Sequence, residues 1–347
     1  MRMFRNLGAM FCLLAVSAGL MLIASTDTAA KDTDMARFEW TSTNSAPAAY
    51  PVELLRAELT LADGTDYYIP DRRVIHHGWG KPGATHFVGA AEKALPVRLS
   101  ATWFSYVEDR FYEIDTELPA DAFLELANQG IESPRRGTKH AYDRFVFGFG
   151  PEGEGAIWMS AHSNMIDVFR FKGTQAQTDW SELIDNADIS RAEFIAIILE
   201  EALGVEGAEN AQKAGYTPGT WPRRQQRWDW ALKVSGASDV SLFKFSALNG
   251  EVFHFLDDLE PNIDQPDHGA PQEIVMHWTG TAGQARSATL RFDPDETLQA
   301  FEQISANGDA MVLHVELSES ANAVAVTLET DAAIYEFEQI QTEIFSR

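Results

Sequence analysis

Several groups of residues in this chain have the chemical types that catalysis or metal binding would need. Ala161-His162-Ser163-Asn164-Met165 places a serine as a nucleophile elbow would, on the tight strand-to-helix turn that lifts a hydroxyl clear of its sheet. That turn needs glycine at its fifth position. Met165 stands there and opens an extended run, so Ser163 is not expected to be a nucleophile. His76-His77 with Asp71, and Asp264 and Asp267 with His268, offer imidazole and carboxylate ligands. Neither group has the His-x-x-x-His or paired-cysteine spacing that sets zinc geometry, and both read as surface loops. There is no phosphate-cradling glycine loop and no dinucleotide fingerprint. A carboxylate pair for hydrolysis would leave no signature of its own, because 52 Asp and Glu residues make chance pairs unavoidable. The expectation is a protein with no catalytic residue, no metal and no cofactor, whose partner contacts fall on Tyr67, Tyr68, His76, His77 and Trp79.

Those five residues lie in or beside the stretch Asp71 to Leu95, which stands out once the elements around it are compared along the chain. Trp103-Phe104-Ser105 leads through Phe111, Tyr112 and Ile114 to Leu118-Pro119-Ala120-Asp121 and an apolar helical stretch with Phe123, Leu124 and Leu126. Further on, His277-Trp278-Thr279 leads through Thr289, Leu290 and Phe292 to Asp293-Pro294-Asp295-Glu296 and a helix with Leu298, Phe301 and Ile304. The two tryptophans are 175 residues apart, and each precedes its proline by sixteen. Proline suits a first helical turn, where its missing N–H has no partner to lose, and the acids beside it favour the positive helix end. Upstream, Arg37-Phe38-Glu39-Trp40 echoes Arg227-Trp228-Asp229-Trp230, and the hairpin pairs Asp63-Gly64 and Asn249-Gly250 come next, each expected to place both central residues at positive φ. Downstream, Phe145 to Phe149 and Met311 to Val315 each open a second hairpin. From Gly64 to Trp103 is 39 residues and from Gly250 to Trp278 is 28, and the excess falls in Asp71 to Leu95. Long loops on a rigid sheet are where binding resides; the alternative is a loop that caps the sheet or fills a cleft, with Trp79 buried.

The sequence thus predicts an α+β fold of two tandem similar units, each an antiparallel sheet with one packed helix, joined by a helical linker. The boundaries are 31–175 for the first unit, 176–226 for the linker and 227–347 for the second. Two unrelated meanders with one helix each would also be α+β. In the linker, Ser190-Arg191-Ala192-Glu193 has capping-box spacing, with Phe194, Ile197, Ile198 and Leu203 as the apolar face and Gly204 as the stop. The arginines beside Trp221 and Trp228 are placed to stack on the rings.

Residues 1–30 read as a signal peptide. Arg2 and Arg5 precede an apolar run from Leu7 to Ala24, and Thr28-Ala29-Ala30 supplies a small-residue exit, so the mature chain is expected to start near Lys31 and to be periplasmic without a stable membrane anchor. A retained anchor is the competing interpretation, since the run is just long enough to span a bilayer. Cys12, the only cysteine, lies inside the run and is preceded by Ala9-Met10-Phe11 rather than a lipobox, so no disulfide can staple the exported protein. A formal charge of -25, scattered as single acids, makes nucleic acid and anionic membrane poor partners. The same charge would serve solubility in a salty or acidic habitat.

The order Phe38-Glu39-Trp40, Ala46-Pro47, Tyr50-Pro51-Val52, Asp63-Gly64, His77-Gly78-Trp79-Gly80, Leu95-Pro96, Trp103 to Glu108, Phe111-Tyr112 and Leu118-Pro119 resembles bacterial proteins of the domain of unknown function 2931 family. Trp221-Pro222-Arg223-Arg224, Trp228-Asp229-Trp230 and Leu248-Asn249-Gly250-Glu251 are similar to that family's later blocks. Many members look like envelope lipoproteins, and some are encoded beside type VI secretion phospholipase toxins. The resemblance implies an immunity protein that neutralises a secreted antibacterial, lipase-type toxin, and it carries no catalytic residues. The missing lipobox cysteine favours a free periplasmic protein. A housekeeping envelope module binding a cell-wall or lipid component, and an unrecognised hydrolase, are the alternatives.

Overall fold

The computed structural model describes residues 36–346 apart from 87–88, 134–137, 185–187, 237–238, 257–261, 280–282, 307–309 and 319–322. The expected signal peptide and Cys12 lie outside the described residues. The protein is α+β, with strands predominating and the longest helix among the described residues at Arg191–Ala214.

In the first half, one sheet runs in the spatial order Thr174–Ala176, Arg110–Glu117, Pro96–Ser105, Val52–Leu61, Asp66–Tyr68. In the second half, strands pair in the order Ile340–Ser346, Ala285–Phe292, Pro271–Thr279, Asp239–Ala247, Val252–Leu256. The remaining strands of the first half are ordered Thr85–His86, Thr41–Ser45, Arg144–Phe149, Glu154–Ala161, Asn164–Lys172. Those of the second half are ordered Asn262–Gly269, Arg227–Ser235, Met311–Leu317, Val324–Glu329, Ile334–Glu336. Thr41–Ser45 runs parallel to Arg144–Phe149, as Arg227–Ser235 does to Met311–Leu317; the other pairings in these sheets are antiparallel. The halves meet where Met165 pairs with Val252, which fuses two of these sets into one ten-stranded sheet.

Alternation explains which face each strand buries. Leu99, Ala101 and Trp103 point into the first core, whereas Phe104 points the other way, toward the helix Arg191–Ala214. A register shift between Leu54 and Arg56 sends Leu55 to that same outer face. Each of these buried large apolar side chains contributes about 1.5–3 kcal/mol. Phe123, on the helix Ala120–Gln129, packs edge-on against Phe145 at 5.0 Å, and Phe301, on Pro294–Ser305, meets Trp228 at 5.3 Å and Trp230 at 5.9 Å. The second helix is the better tied. Asp293 caps the backbone N–H groups of Asp295 and Glu296, and the buried Glu296 carboxylate accepts from the Glu338 and Gln339 N–H groups at 2.8 and 2.9 Å.

Four local expectations need correction. The hairpin turns do not place two residues at positive φ: only Gly64 (79°) and Gly250 (89°) lie there, while Asp63 and Asn249 do not. Both turns instead close by the same pair of bonds, Gly64 N–H to Leu61 O with Leu61 N–H to Thr65 O, and Gly250 N–H to Ala247 O with Ala247 N–H to Glu251 O. That is a type I turn followed by one left-handed residue, which asks for glycine once rather than twice. The Ser190–Glu193 capping box forms, but Gly204 (φ 73°) only interrupts the helix, which resumes to Ala214. Ile197 is 44% exposed, and Leu199, at 2%, takes the buried position assigned to it. Pro119 precedes the helix Ala120–Gln129 as its cap residue, whereas Pro294 sits in the first turn.

Candidate functional site

A cleft of about 540 Å³ opens over the junction of the two halves. Its floor is built by strand register. Arg144 lies opposite Ser160, Ser160 opposite Met165, Met165 opposite Val252, Val252 opposite Ser246, Ser246 opposite Glu273 and Glu273 opposite Arg291. Directly opposed residues share a face, so this one row crosses seven strands on the same side, and every member lines the cleft. At about 4.8 Å per strand the row spans on the order of 29 Å. Lys244 sits on the same face two residues before Ser246 and lines the cleft as well.

The other wall is the segment Trp79 to Pro82. Trp79 is wedged edge-on between Trp158, at 4.9 Å, and Trp221, at 5.1 Å, and its indole N–H donates to Gln225 Oε1 at 3.2 Å. Gly80 and Gly250 pack backbone to backbone. A Cβ on Gly80 would lie 2.6 Å from the Gly250 carbonyl oxygen, and one on Gly250 would lie 2.8 Å from the Trp158 ring. Both have positive φ, so glycine is required twice over. The indole N–H of Trp158 donates to the Asn249 carbonyl at 3.2 Å, across the same junction.

Behind the cleft lies a buried ionic network. The Glu251 carboxylate is fully buried, accepts from Asn249 Nδ2 at 2.9 Å, contacts His268 Nδ1 at 3.2 Å and pairs with Arg227 at 3.3 Å. Burial pushes this carboxyl up, but the His268 hydrogen bond, the Arg227 charge and the Asn249 amide outweigh it and leave it below the ordinary glutamate range. Asp167, 2% exposed, pairs with Arg170 at 2.6 Å and faces Arg227 at 3.9 Å. Here burial wins over the Arg170 contacts and, helped by the Glu251 charge, the pKa is pushed up to about 6. Arg170 also donates to the Gln225 carbonyl, so a continuous chain of contacts runs from Trp79 through Gln225, Arg170, Asp167 and Arg227 to Glu251 and His268.

Electrostatically the cleft contrasts with the chain. Lys81, Arg144, Lys244 and Arg291 line it, four of the 27 Lys and Arg residues of a chain with 52 acids. Glu273 pairs with Lys244 at 2.9 Å and with Arg291 at 3.3 Å, and Arg291 also meets Glu343 at 3.1 Å. Burial pushes the Glu273 carboxyl up, but the Lys244 and Arg291 contacts outweigh this and hold it below the ordinary range. Lys81 and Arg144, both exposed, have no acid within ion-pair distance among the described residues. Ser160, His162, Ser163 and Asn164 add polar groups. Among the described residues, no cleft hydroxyl is hydrogen-bonded to an imidazole, the contact that would activate it as a nucleophile.

The expected contact residues are dispersed. Tyr67 is a core residue, 5.0 Å from the Trp40 ring, while Tyr68, stacked on Tyr67, is 41% exposed. His76 is half-buried and His77 exposed, their rings stacked at 5.7 Å. Tyr68 lies opposite Glu58, and Ile75, which precedes the histidines, lies opposite Val52, so both flank one edge of the strand Val52–Leu61. Only Trp79 reaches the cleft. Ser163 sits with His162 (φ 55°) in the turn between two strands, not before a helix. His268 is engaged by Glu251, Asp267 pairs with Arg227, and the side chain of Asp264 lies outside the described residues. Arg224 stacks over Trp221 at 5.7 Å. The cleft cations carried no sequence signal, since each is an isolated charge on a different element. The Asn249-Gly250-Glu251 block was the one local cue to the network.

Residues 26–214 match the model of a family described as a protein of unknown function (DUF2931). No curated protein and no solved structure matches the chain.

Proposed function

This chain belongs to the DUF2931 family, and from that premise we propose that it is a non-enzymatic binding protein of the bacterial periplasm that neutralises a secreted antibacterial toxin of lipase type. The observation that carries this is a pre-formed contact edge. Trp79 is clamped between two tryptophans and anchors the loop, and on the near side of that loop Tyr68, His76 and His77 flank one edge of the strand Val52–Leu61. From Glu58 to Val52 is six residues, about 20 Å of extended chain. A rigid aromatic and imidazole edge of that length suits a standard interface of about 800 Å² per partner, and little ordering entropy is lost when it is used.

The proposal includes export by residues 1–30, with no anchor retained after cleavage, and an origin by duplication of one unit joined through the helical segment 176–226. The matching strand orders, the matching parallel pairs and the identical turn bonds at Gly64 and Gly250 support the duplication. The test is co-expression. Periplasmic expression of a lipase-type toxin encoded beside this gene should kill cells that lack the chain and spare cells that carry it. A Tyr68→Ala/His77→Ala variant that folds normally should protect poorly and release the toxin on a tagged column. Full protection by that variant would move the contact edge elsewhere, and no protection by the wild type would refute the immunity function.

A further inference from the structure

The cleft points to a second activity, independent of any toxin. We infer that it binds a small anionic amphiphile, a carboxylate or phosphate head group carrying an acyl or alkyl chain. The volume of about 540 Å³ is that of a small-molecule site rather than of a protein loop.

The head group is assigned by charge. In a chain of net charge -25, two exposed cations on this cleft, Lys81 and Arg144, have no acid partner within ion-pair distance among the described residues. Arg144 heads the cross-strand row, Ser160 is next to it, and Lys81 comes directly after Gly80, which rests on Met165, the third member. Arg144 thus marks one end of the row, and Lys81 lines the cleft from the facing loop, its stem beside Gly78. Ser160, Ser163 and Asn164 lie at that end and supply uncharged donors. The Asn164 carbonyl oxygen is already held by the His254 N–H at 2.6 Å, which leaves its amide N–H₂ as the group available to an anion.

The alkyl chain is assigned by the next residues of the row. Met165 and Val252 come after Ser160, with the Trp79 ring as the facing wall. From Ser160 to Ser246 is three strand spacings, about 14 Å of floor that is apolar in its middle. At the far end, Lys244 and Arg291 are already compensated by Glu273, so that end does not compete for the head group. Screening within about 8 Å at physiological salt lets a singly charged ligand approach despite the acidic surface.

The test uses the purified full-length mature chain without any partner, titrated below the micelle concentration with dodecanoate, dodecyl phosphate, dodecanol and inorganic phosphate. Binding is followed by calorimetry and by tryptophan fluorescence. Dodecanoate or dodecyl phosphate should bind at least about tenfold more tightly than dodecanol and than inorganic phosphate, and the tighter of the two identifies the head group. Lys81→Glu and Arg144→Glu should each weaken the anionic ligand about tenfold or more, as loss of a charge-assisted contact does, and leave dodecanol unchanged. Both side chains are exposed, so the variants should keep the wild-type circular dichroism and melting temperature. Equal affinity for dodecanol and dodecanoate would overturn the head-group assignment. Inorganic phosphate binding as tightly as dodecyl phosphate would overturn the chain assignment, and no binding of any probe would overturn the site. None of these results bears on toxin neutralisation, which the co-expression assay reads separately.

Discussion

Asp167 should make the folded state lose stability as the pH rises from acid through about 6, and Asp167→Asn should abolish that loss. The carboxyl has a pKa near 6 in the folded protein against an ordinary value of 3.8, chiefly because it is buried. A folded-state value above the unfolded one means that the folded protein holds the proton more tightly. The stability it contributes is complete below about pH 3.8 and is lost as pH rises through 6. The gap from 3.8 to about 6, at roughly 1.4 kcal/mol per pH unit, amounts to about 3 kcal/mol in full. Between pH 5 and pH 8 the change is roughly 1–2 kcal/mol, because the unfolded carboxyl has already lost its proton by pH 5 and about half of the loss lies below that pH.

The groups facing Asp167 are Arg170, Arg227 and Glu251. Asparagine retains an oxygen to accept from Arg170 but has no proton to release. Burial depresses His76 and His254, whose contribution runs in the opposite sense and is lost as pH falls below 6.5. The informative quantity is therefore the difference between wild type and variant. Urea unfolding at pH 5 and pH 8, followed by tryptophan fluorescence and far-ultraviolet circular dichroism together, should show the wild type losing roughly 1–2 kcal/mol relative to Asp167→Asn at the higher pH. A difference that is flat, or that grows in favour of the wild type, would mean that Arg170 and Arg227 outweigh burial and that the reasoning is wrong.

Trp79→Ala should cost about 3–5 kcal/mol in the same urea assay, since the ring fills the space between Trp158 and Trp221; a loss below about 1 kcal/mol would show that the junction collapses without it. Gly64→Ala and Gly250→Ala place alanine in the same turn conformation but different surroundings. The first, with nothing within 4 Å, should cost about 1–2 kcal/mol of backbone strain, and the second, against the Trp158 ring, clearly more; equal melting temperatures would contradict the packing at the junction. Glu251→Gln should destabilise by about 2–4 kcal/mol at pH 7 by leaving Arg227 undercompensated. Because the folded pKa of Glu251 lies below its ordinary value, its contribution is present above 4.5 and is lost as pH falls through the folded value, so the gap between this variant and the wild type should close in acid.

Much of the architecture is set by local chemistry. Strand alternation, the prolines at the starts of two helices, the turn glycines and the Ser190–Glu193 cap each act over a few residues, and all of these elements form. Local chemistry also sets the limits of such inference. Asp63-Gly64 is compatible with more than one turn, and the choice went to the one that needs a single left-handed residue. Ile197 and Leu199 are equally apolar, and only the orientation of the helix on Phe104 and Phe111 decided which is buried.

Tyr68, His76 and His77 stand close together along the chain, whereas the cleft residues do not. Its row of seven side chains comes from Arg144–Phe149, Glu154–Ala161, Asn164–Lys172, Val252–Leu256, Asp239–Ala247, Pro271–Thr279 and Ala285–Phe292, segments up to 147 residues apart that are aligned only by strand register. Shifting any one pairing by a residue would turn its side chain to the other face and break the row. Composition, the expected export signal and element type belong to the sequence, since each depends on neighbours along the chain. The convergence of cations on one cleft, and of Asp167 and Glu251 on one buried network, belongs to the tertiary structure, since each depends on register and burial that no local pattern encodes.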